Sequence, residues 1–171
     1  MGAFNAEERE YMVQALWEAE MAAREDEVPA GAIVVNPAGK IVGRGRNRLI
    51  SLSDPTAHAE ILALRQAAEG LGNYRLVGHV MFSTLEPCPM CLMAAIHARL
   101  GRIIFGAPEP RWGAAGSMLN LAGLAGLNHR LEVVGGLLAD EARGLITEFF
   151  KKKRQSGKSE VQSPSCGNAP R

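Results

Sequence analysis

The sequence predicts an α/β fold, a three-layer α/β/α sandwich around a mixed sheet of about five strands. Two patterns support this fold class. A helix pattern is followed by a hairpin pattern, and helix patterns then alternate with short apolar, β-branched runs that are typical of buried strands. A chain of 171 residues that is 47% hydrophobic can bury one sizeable core and is short for two ordinary domains. We therefore expect one globular domain.

The domain begins with a helix and a hairpin. Residues 6–23 carry apolar side chains at helical spacing, which predicts an amphipathic helix. Residues 31–35 and 40–44 are strand-like runs, and the turn-forming residues 36–39 between them predict a β-hairpin.

Two more helices are predicted near the centre of the chain. Helix-starting residues precede 57–69 and glycines follow it, so His58 and Glu60 would lie in the first turn of a helix. A strand is predicted over residues 79–84, and Pro87 is well placed to open the next helix.

The last part of the domain continues the alternation. The sequence predicts a buried strand over 102–106, a strand over 131–134 and a helix over 140–153, with a Gly/Ala/Pro-rich stretch over 107–126. Residues 156–171 contain almost no aliphatic side chains and predict a disordered polar and basic tail. The folded domain would therefore cover residues 1–155.

Charge is distributed unevenly along the chain. Residues 151–171 contain 6 Lys or Arg against 1 acidic residue, whereas residues 1–150 contain 13 against 17. A basic patch is compatible with a polyanionic partner such as RNA, because each neutralised phosphate releases counterions. Charge alone fits a solvated tail equally well.

Several classes of protein are excluded by composition. The N-terminal stretch is acidic rather than basic and apolar, and no apolar run of 18 residues exists, so neither a signal peptide nor a membrane span is predicted. Three cysteines do not form a disulfide framework, and in a reducing compartment a Cys-x-x-Cys pair is more often a metal or redox device. A cytoplasmic protein is expected.

One imidazole, one carboxylate and two thiols have the spacing of a catalytic metal site. His58 and Glu60 come first in the sequence. A Pro-Cys-Pro-Met-Cys run that contains Cys88 and Cys91 begins after a further 26 residues. A structural zinc usually takes four protein ligands, whereas a catalytic zinc takes three and leaves one position for water. His58, Cys88 and Cys91 are therefore predicted to bind one zinc ion.

Glu60 is the residue that distinguishes a catalytic site from a structural one. Its carboxylate, beside the metal-bound water, would take a proton and return it to the ring nitrogen and the leaving amine. His58 and Glu60 are two residues apart and would diverge on a regular helix, so they can share a site only at the helix end. Joined in this order, the residues form a known signature of zinc-dependent nucleobase deaminases. A lone Cys-x-x-Cys is also common in structural zinc and redox sites.

The chain resembles the bacterial tRNA-specific adenosine deaminases of the cytidine deaminase-like fold over roughly residues 5–155. The resemblance extends beyond the cysteines and the histidine to blocks at residues 28–32, 47–48, 54–60, 73–76, 84–88, 113–117, 128–130 and 149–150.

The resemblance implies an activity. The enzyme would convert the wobble adenosine of an arginine tRNA with anticodon ACG to inosine, after taking the base out of the loop. His58, Cys88 and Cys91 match the family's zinc ligands, with one ion per subunit, and Glu60 matches its proton shuttle. The family is homodimeric and binds the anticodon stem-loop close to the subunit interface.

Substrate contacts are implied by the same resemblance. Asn47 matches a residue that contacts the flipped base, and the backbone around Ala59 is implied near the reacting centre. Where the family commonly has Asp, a small residue and Lys, this chain has Glu109 and Arg111, which keep the charge signs for ribose and phosphate contacts. Trp112 either stacks on a loop base or covers a glycine-rich loop.

Two other functions fit parts of the pattern. A free-base or nucleoside deaminase acting on guanine, cytosine or cytidine would use the same zinc chemistry. A non-catalytic RNA-binding subunit would keep zinc only for its fold and would not need Glu60. Ammonia release from small substrates favours the first, and editing that is independent of Glu60 favours the second.

Overall fold

The computed structural model describes residues 4–159 of the chain. Within this range the sheet runs in the order β2-β1-β3-β4-β5, with β1 antiparallel to both of its neighbours and β3, β4 and β5 parallel. The strands are β1 (Gly31–Val35), β2 (Ile41–Arg46), β3 (Val80–Leu85), β4 (Arg102–Ala107) and β5 (Glu132–Gly135); the helices are α1 (Ala6–Arg24), α2 (Leu49–Leu52), α3 (Ala59–Leu71), α4 (Pro89–His97) and α5 (Ala139–Ser159).

Helices cover both faces of the sheet, which confirms the predicted three-layer sandwich. Alternate residues of β1 point to opposite faces, so Val34 packs with Leu64 of α3 and Leu92 of α4. On the other face Ile33 packs with Met12 of α1. All five residues of β1 are buried, as expected for a strand between two layers of helices.

The structure corrects two predicted boundaries and adds one short helix. α4 begins at Pro89 rather than at Pro87, because Cys88 keeps an extended backbone as the residue before the helix. The short helix α2 was not predicted, and it depends on a distant residue: the carboxylate of Glu27 accepts hydrogen bonds from the backbone N–H groups of Ile50 and Ser51. α5 takes in residues 156–159, which had been assigned to the tail.

The remaining predicted tail, residues 160–171, lies outside the described residues. Within residues 4–159, no helix combines the length and the hydrophobicity that a membrane span requires.

Two glycines of β2 allow α3 to lie directly on the sheet. A Cβ on Gly45 would overlap the backbone oxygen of Ala59, and a Cβ on Gly43 would overlap that of Ala63. Ala59 and Ala63 are one turn apart on α3, so the contact fixes both the height and the rotation of this helix. The residue before α3 is His58, and its position therefore depends on these glycines.

Gly45→Ala is expected to lower the free energy of unfolding by about 1–3 kcal/mol, because the added methyl group must displace the backbone of α3. Gly70→Ala, on α3 itself, is the matched control, because a Cβ at this position would meet no atom within 4 Å. That control should raise stability by about 0.5–1 kcal/mol. Urea unfolding of both variants measures the difference, and equal effects would contradict the close contact between α3 and β2.

Candidate active site

The starts of α3 and α4 meet at one edge of the sheet. His58 and Cys88 are the residues immediately before these helices, and both have extended backbones with φ −71° and ψ 152° or 169°. Neither side chain caps its own helix, so both are available for other contacts. The extended backbone of His58 also explains how Glu60, two residues later, can face the same site.

Three potential ligand atoms converge at this edge. His58 Nδ1 lies 3.7 Å from Cys88 Sγ and 3.6 Å from Cys91 Sγ. Tetrahedral zinc, with Zn–S of about 2.3 Å and Zn–N of about 2.0–2.1 Å, places sulfur and nitrogen ligands roughly 3.6 Å apart. Both the donor types and the spacing fit zinc. In the part of the chain that the structure describes, this is the one His, Cys and carboxylate cluster with such geometry.

The thiols and the imidazole are electrostatically coupled. A hydrogen bond from the Cys91 thiol lowers the pKa of Cys88 to about 4, and the same bond raises the pKa of Cys91. The hydrogen bond with Cys88 raises the pKa of His58. The cluster therefore favours loss of the Cys88 proton, and a bound metal cation would favour the thiolate form of both cysteines.

Glu60 is a buried carboxyl group next to the cluster. Cys91 Sγ lies 3.5 Å from its Oε2, and the Ser83 hydroxyl donates to its Oε1 over 3.3 Å. Burial raises the pKa of Glu60. Its side chain is therefore held between β3 and the ligands rather than exposed to bulk water.

A cavity of about 610 Å³ opens onto the cluster. This volume lies within the range of sites for small organic ligands. The residues that line it are Val28, Ala30, Asn47, Pro55, His58, Glu60, Leu85, Glu86, Cys88, Pro89, Met90, Glu109 and Trp112.

Two of the four predicted substrate-contact residues line this cavity. Asn47 and Glu109 line the cavity, whereas Ala59 and Arg111 do not. The Ala59 side chain is completely buried, and its backbone N–H donates to Asn47 Oδ1 over 3.0 Å. Arg111 is exposed, and its backbone N–H donates to Glu109 Oε1 over 2.9 Å. Asn47 thus has its oxygen engaged and keeps its amide N–H groups as donors.

Glu86 was given no role from the sequence, but it holds the loop that follows β4. Its Oε2 accepts from the Glu109 N–H over 3.0 Å and from the Ser117 hydroxyl. Its Oε1 accepts from the N–H groups of Ala115 at 2.9 Å and Ser117 at 3.0 Å. The sequence signal for this role is a glutamate between a buried strand and a helix start. Its hydrogen-bond partners lie 23 to 31 residues away and form no recognisable sequence motif.

Burial on its own would raise the pKa of Glu86, but hydrogen bonds from Ser117 and from three backbone amides outweigh it, so the pKa lies below the ordinary value. The carboxylate therefore stabilises the fold above the ordinary pKa, and the stabilisation is lost as pH falls toward the lowered value.

Glu86→Gln should lower the free energy of unfolding by about 3 kcal/mol at neutral pH, since an amide NH₂ would face N–H donors. The difference from wild type should shrink as pH falls below the ordinary glutamate pKa, because Glu86 then becomes protonated. Urea unfolding of both proteins as a function of pH measures it. Glu69→Gln, exposed on α3, is the control, and a pH-independent difference would contradict the role of Glu86.

Comparisons with known proteins agree with this geometry. Residues 5–107 match the family model described as the cytidine and deoxycytidylate deaminase zinc-binding region. A protein of Haemophilus influenzae named tRNA-specific adenosine deaminase is 46% identical over 134 residues, which are 78% of this chain and 78% of the relative.

Two solved structures share the fold. One comes from studies of A-to-I editing by tRNA:A34 deaminases at the wobble position of transfer RNA. It is 40% identical, with a TM-score of 0.77 over 80% of this chain and 98% of that chain. The other is a guanine deaminase from Nitrosomonas europaea, which is 26% identical with a TM-score of 0.73 over 82% of this chain and 83% of that chain.

Proposed function

The chain belongs to the tRNA-specific adenosine deaminases among the zinc-binding deaminases, and from this membership we propose that it converts the wobble adenosine of arginine tRNA with anticodon ACG to inosine. The observation that carries the proposal is the buried carboxyl of Glu60, in contact with Cys91 at a cavity that also reaches His58 and Cys88. The proposal includes one zinc ion per subunit, a homodimer and a cytoplasmic location.

His58, Cys88 and Cys91 would hold the zinc ion. When bound by three protein ligands, zinc lowers the pKa of a water molecule at its fourth position, to about 7 in well-studied hydrolases. The described cluster contains three such ligands, which leaves that position for water.

Glu60 moves the protons in this proposal. It removes a proton from the attacking water and delivers it to the ring nitrogen next to C6 of adenine, while oxygen bonds to C6. It then carries the second proton of that water to the amino group. The C6–N bond breaks, ammonia leaves, and C6 becomes the carbonyl carbon of inosine.

Asn47 and Glu109 would orient the nucleotide. The Asn47 oxygen is occupied by the Ala59 N–H, so its NH₂ group can donate to a ring nitrogen of the base. Glu109 lines the same cavity and can accept from a ribose hydroxyl. Ala59 and Arg111 are not among the residues that line the cavity. The Ala59 backbone would act by holding Asn47, and the exposed Arg111 side chain could meet a phosphate at the surface.

The test is to incubate the zinc-loaded protein with unmodified arginine tRNA and to sequence the wobble position after reverse transcription. An A-to-G change that requires Glu60 supports the proposal. Glu60→Ala on the same tRNA is the matched control. An unedited tRNA with a folded, zinc-loaded protein would contradict it.

The second candidate is a free-base deaminase, favoured by the structural similarity to a guanine deaminase. Ammonia release from guanine or cytidine, with none from tRNA, would establish it. The third, a non-catalytic RNA-binding subunit with structural zinc, would be favoured if Glu60→Ala left editing unchanged while Cys88→Ala unfolded the protein.

A further inference from the structure

Trp112 is a large aromatic side chain exposed beside the catalytic cavity. Its side chain is 66% exposed, and it nevertheless lines the cavity that reaches the His/Cys/Cys cluster. In the described part of the chain, the aromatic pairs and cation–π contacts involve other rings, so the faces of this indole have no such partner.

The backbone on both sides of Trp112 is firmly held. Glu86 accepts from the N–H of Glu109 on one side and from those of Ala115 and Ser117 on the other. Gly113, the next residue, is buried, and its N–H donates to the carbonyl of Glu109 over 2.7 Å. The backbone that carries the indole is therefore held by contacts that do not involve the ring.

The neighbours of Trp112 suit a single-stranded nucleic acid. Arg111 is exposed next to it and can meet a phosphate, while Val28 and Pro55 contribute apolar surface to the same cavity. Proteins that bind unpaired nucleotides combine positive charge along the backbone with aromatic rings on which bases stack. The edited base must reach the ligands, whereas most of the indole surface faces outward, so the ring can contact the adjoining nucleotide.

We infer that Trp112 is a stacking residue for a base next to the edited adenosine, and that it contributes to the choice of RNA substrate. The inference rests on the proposed function, because it requires an RNA loop in the cavity. Stacking on one aromatic ring changes affinity by about 5- to 100-fold.

Fluorescence provides a direct test, because the chain has two tryptophans. Trp17 lies on α1, where it lines a groove against α5 on the opposite face of the sheet. A Trp17→Phe, Glu60→Gln double variant, zinc-loaded, keeps Trp112 as its one indole and leaves the RNA unedited. An arginine anticodon stem-loop is titrated into it, and binding is followed separately by anisotropy of a dye on the RNA.

The expected result is that Trp112 emission is quenched with the same concentration dependence as RNA binding. Removing the base on one side of the wobble position should abolish the quenching, and removing the base on the other side should not. RNA that binds and leaves the emission unchanged would overturn the inference while the proposed function stands. If wild-type protein neither binds nor edits the RNA, both fail.

Steady-state kinetics in otherwise wild-type protein separate stacking from a structural role. Trp112→Ala should raise KM for the stem-loop by about 5- to 100-fold with little change in kcat, and Trp112→Tyr should restore most of the affinity. Trp17→Phe is the control and should leave both constants unchanged. Equal KM values for wild type and Trp112→Ala would overturn the inference.

Discussion

Glu60→Gln should reduce kcat for deamination of the wobble adenosine by about 10²- to 10⁴-fold, the range associated with one positioned general acid–base group. Gln keeps the size of the side chain and can still meet Ser83 and Cys91, so the site should remain assembled. It cannot accept and return a proton. Single-turnover editing assays with excess enzyme measure the effect on chemistry without the contribution of tRNA binding.

The controls for this variant are zinc content, measured by elemental analysis, and affinity for tRNA. Both should equal those of wild type. Glu69→Gln on the exposed face of the same helix should retain full activity. Residual editing within tenfold of wild type would remove Glu60 from the proton-transfer steps.

Cys91→Ala should abolish both zinc binding and editing. The Cys91 sulfur is buried and contacts His58, Cys88 and Glu60, so its loss leaves two ligands and a cavity beside the carboxyl group. A site of two ligands binds zinc far more weakly, and the free energy of metal binding no longer stabilises the fold. We expect less than about one tenth of a zinc ion per chain.

Thermal unfolding with and without a chelator measures how much bound metal stabilises the fold. The midpoint for wild type should fall when the chelator is added, whereas that for Cys91→Ala should already be low and should not change. Cys166→Ala is the matched control, since it removes a thiol far along the chain from the cluster. A Cys91→Ala protein with one zinc ion per chain would contradict the assignment of Cys91 as a ligand.

The elements that carry the cluster were predictable because their signals are local. The residues before α3 and the two prolines around Cys88 mark helix starts in sequence, and two helix starts at one sheet edge bring His58, Cys88 and Cys91 together. The choice between Pro87 and Pro89 was not predictable. Both prolines suit the first position of a helix, and only the extended backbone of Cys88 decides between them.

The features that sequence reasoning missed depend on contacts between distant residues. α2 is four residues long and is held by Glu27, more than twenty positions earlier. Substrate contacts of Arg111 and of the Ala59 backbone stay predictions, since neither residue lines the cavity but the Ala59 N–H bonds to Asn47, which does. Such positions depend on the tertiary path of the chain, which no local periodicity encodes.

The way Glu86 holds its loop has a consequence for how this enzyme can evolve. Three of its four partners are backbone N–H groups, which every residue except proline possesses. The prolines at 108 and 110 occupy positions that Glu86 does not use. The exposed side chains at 110–112 can therefore be exchanged without loss of these anchors, whereas Gly113 cannot, because a Cβ there would overlap the Glu86 carboxylate. What this loop presents to a nucleotide can thus change without any change at His58, Cys88, Cys91 or Glu60.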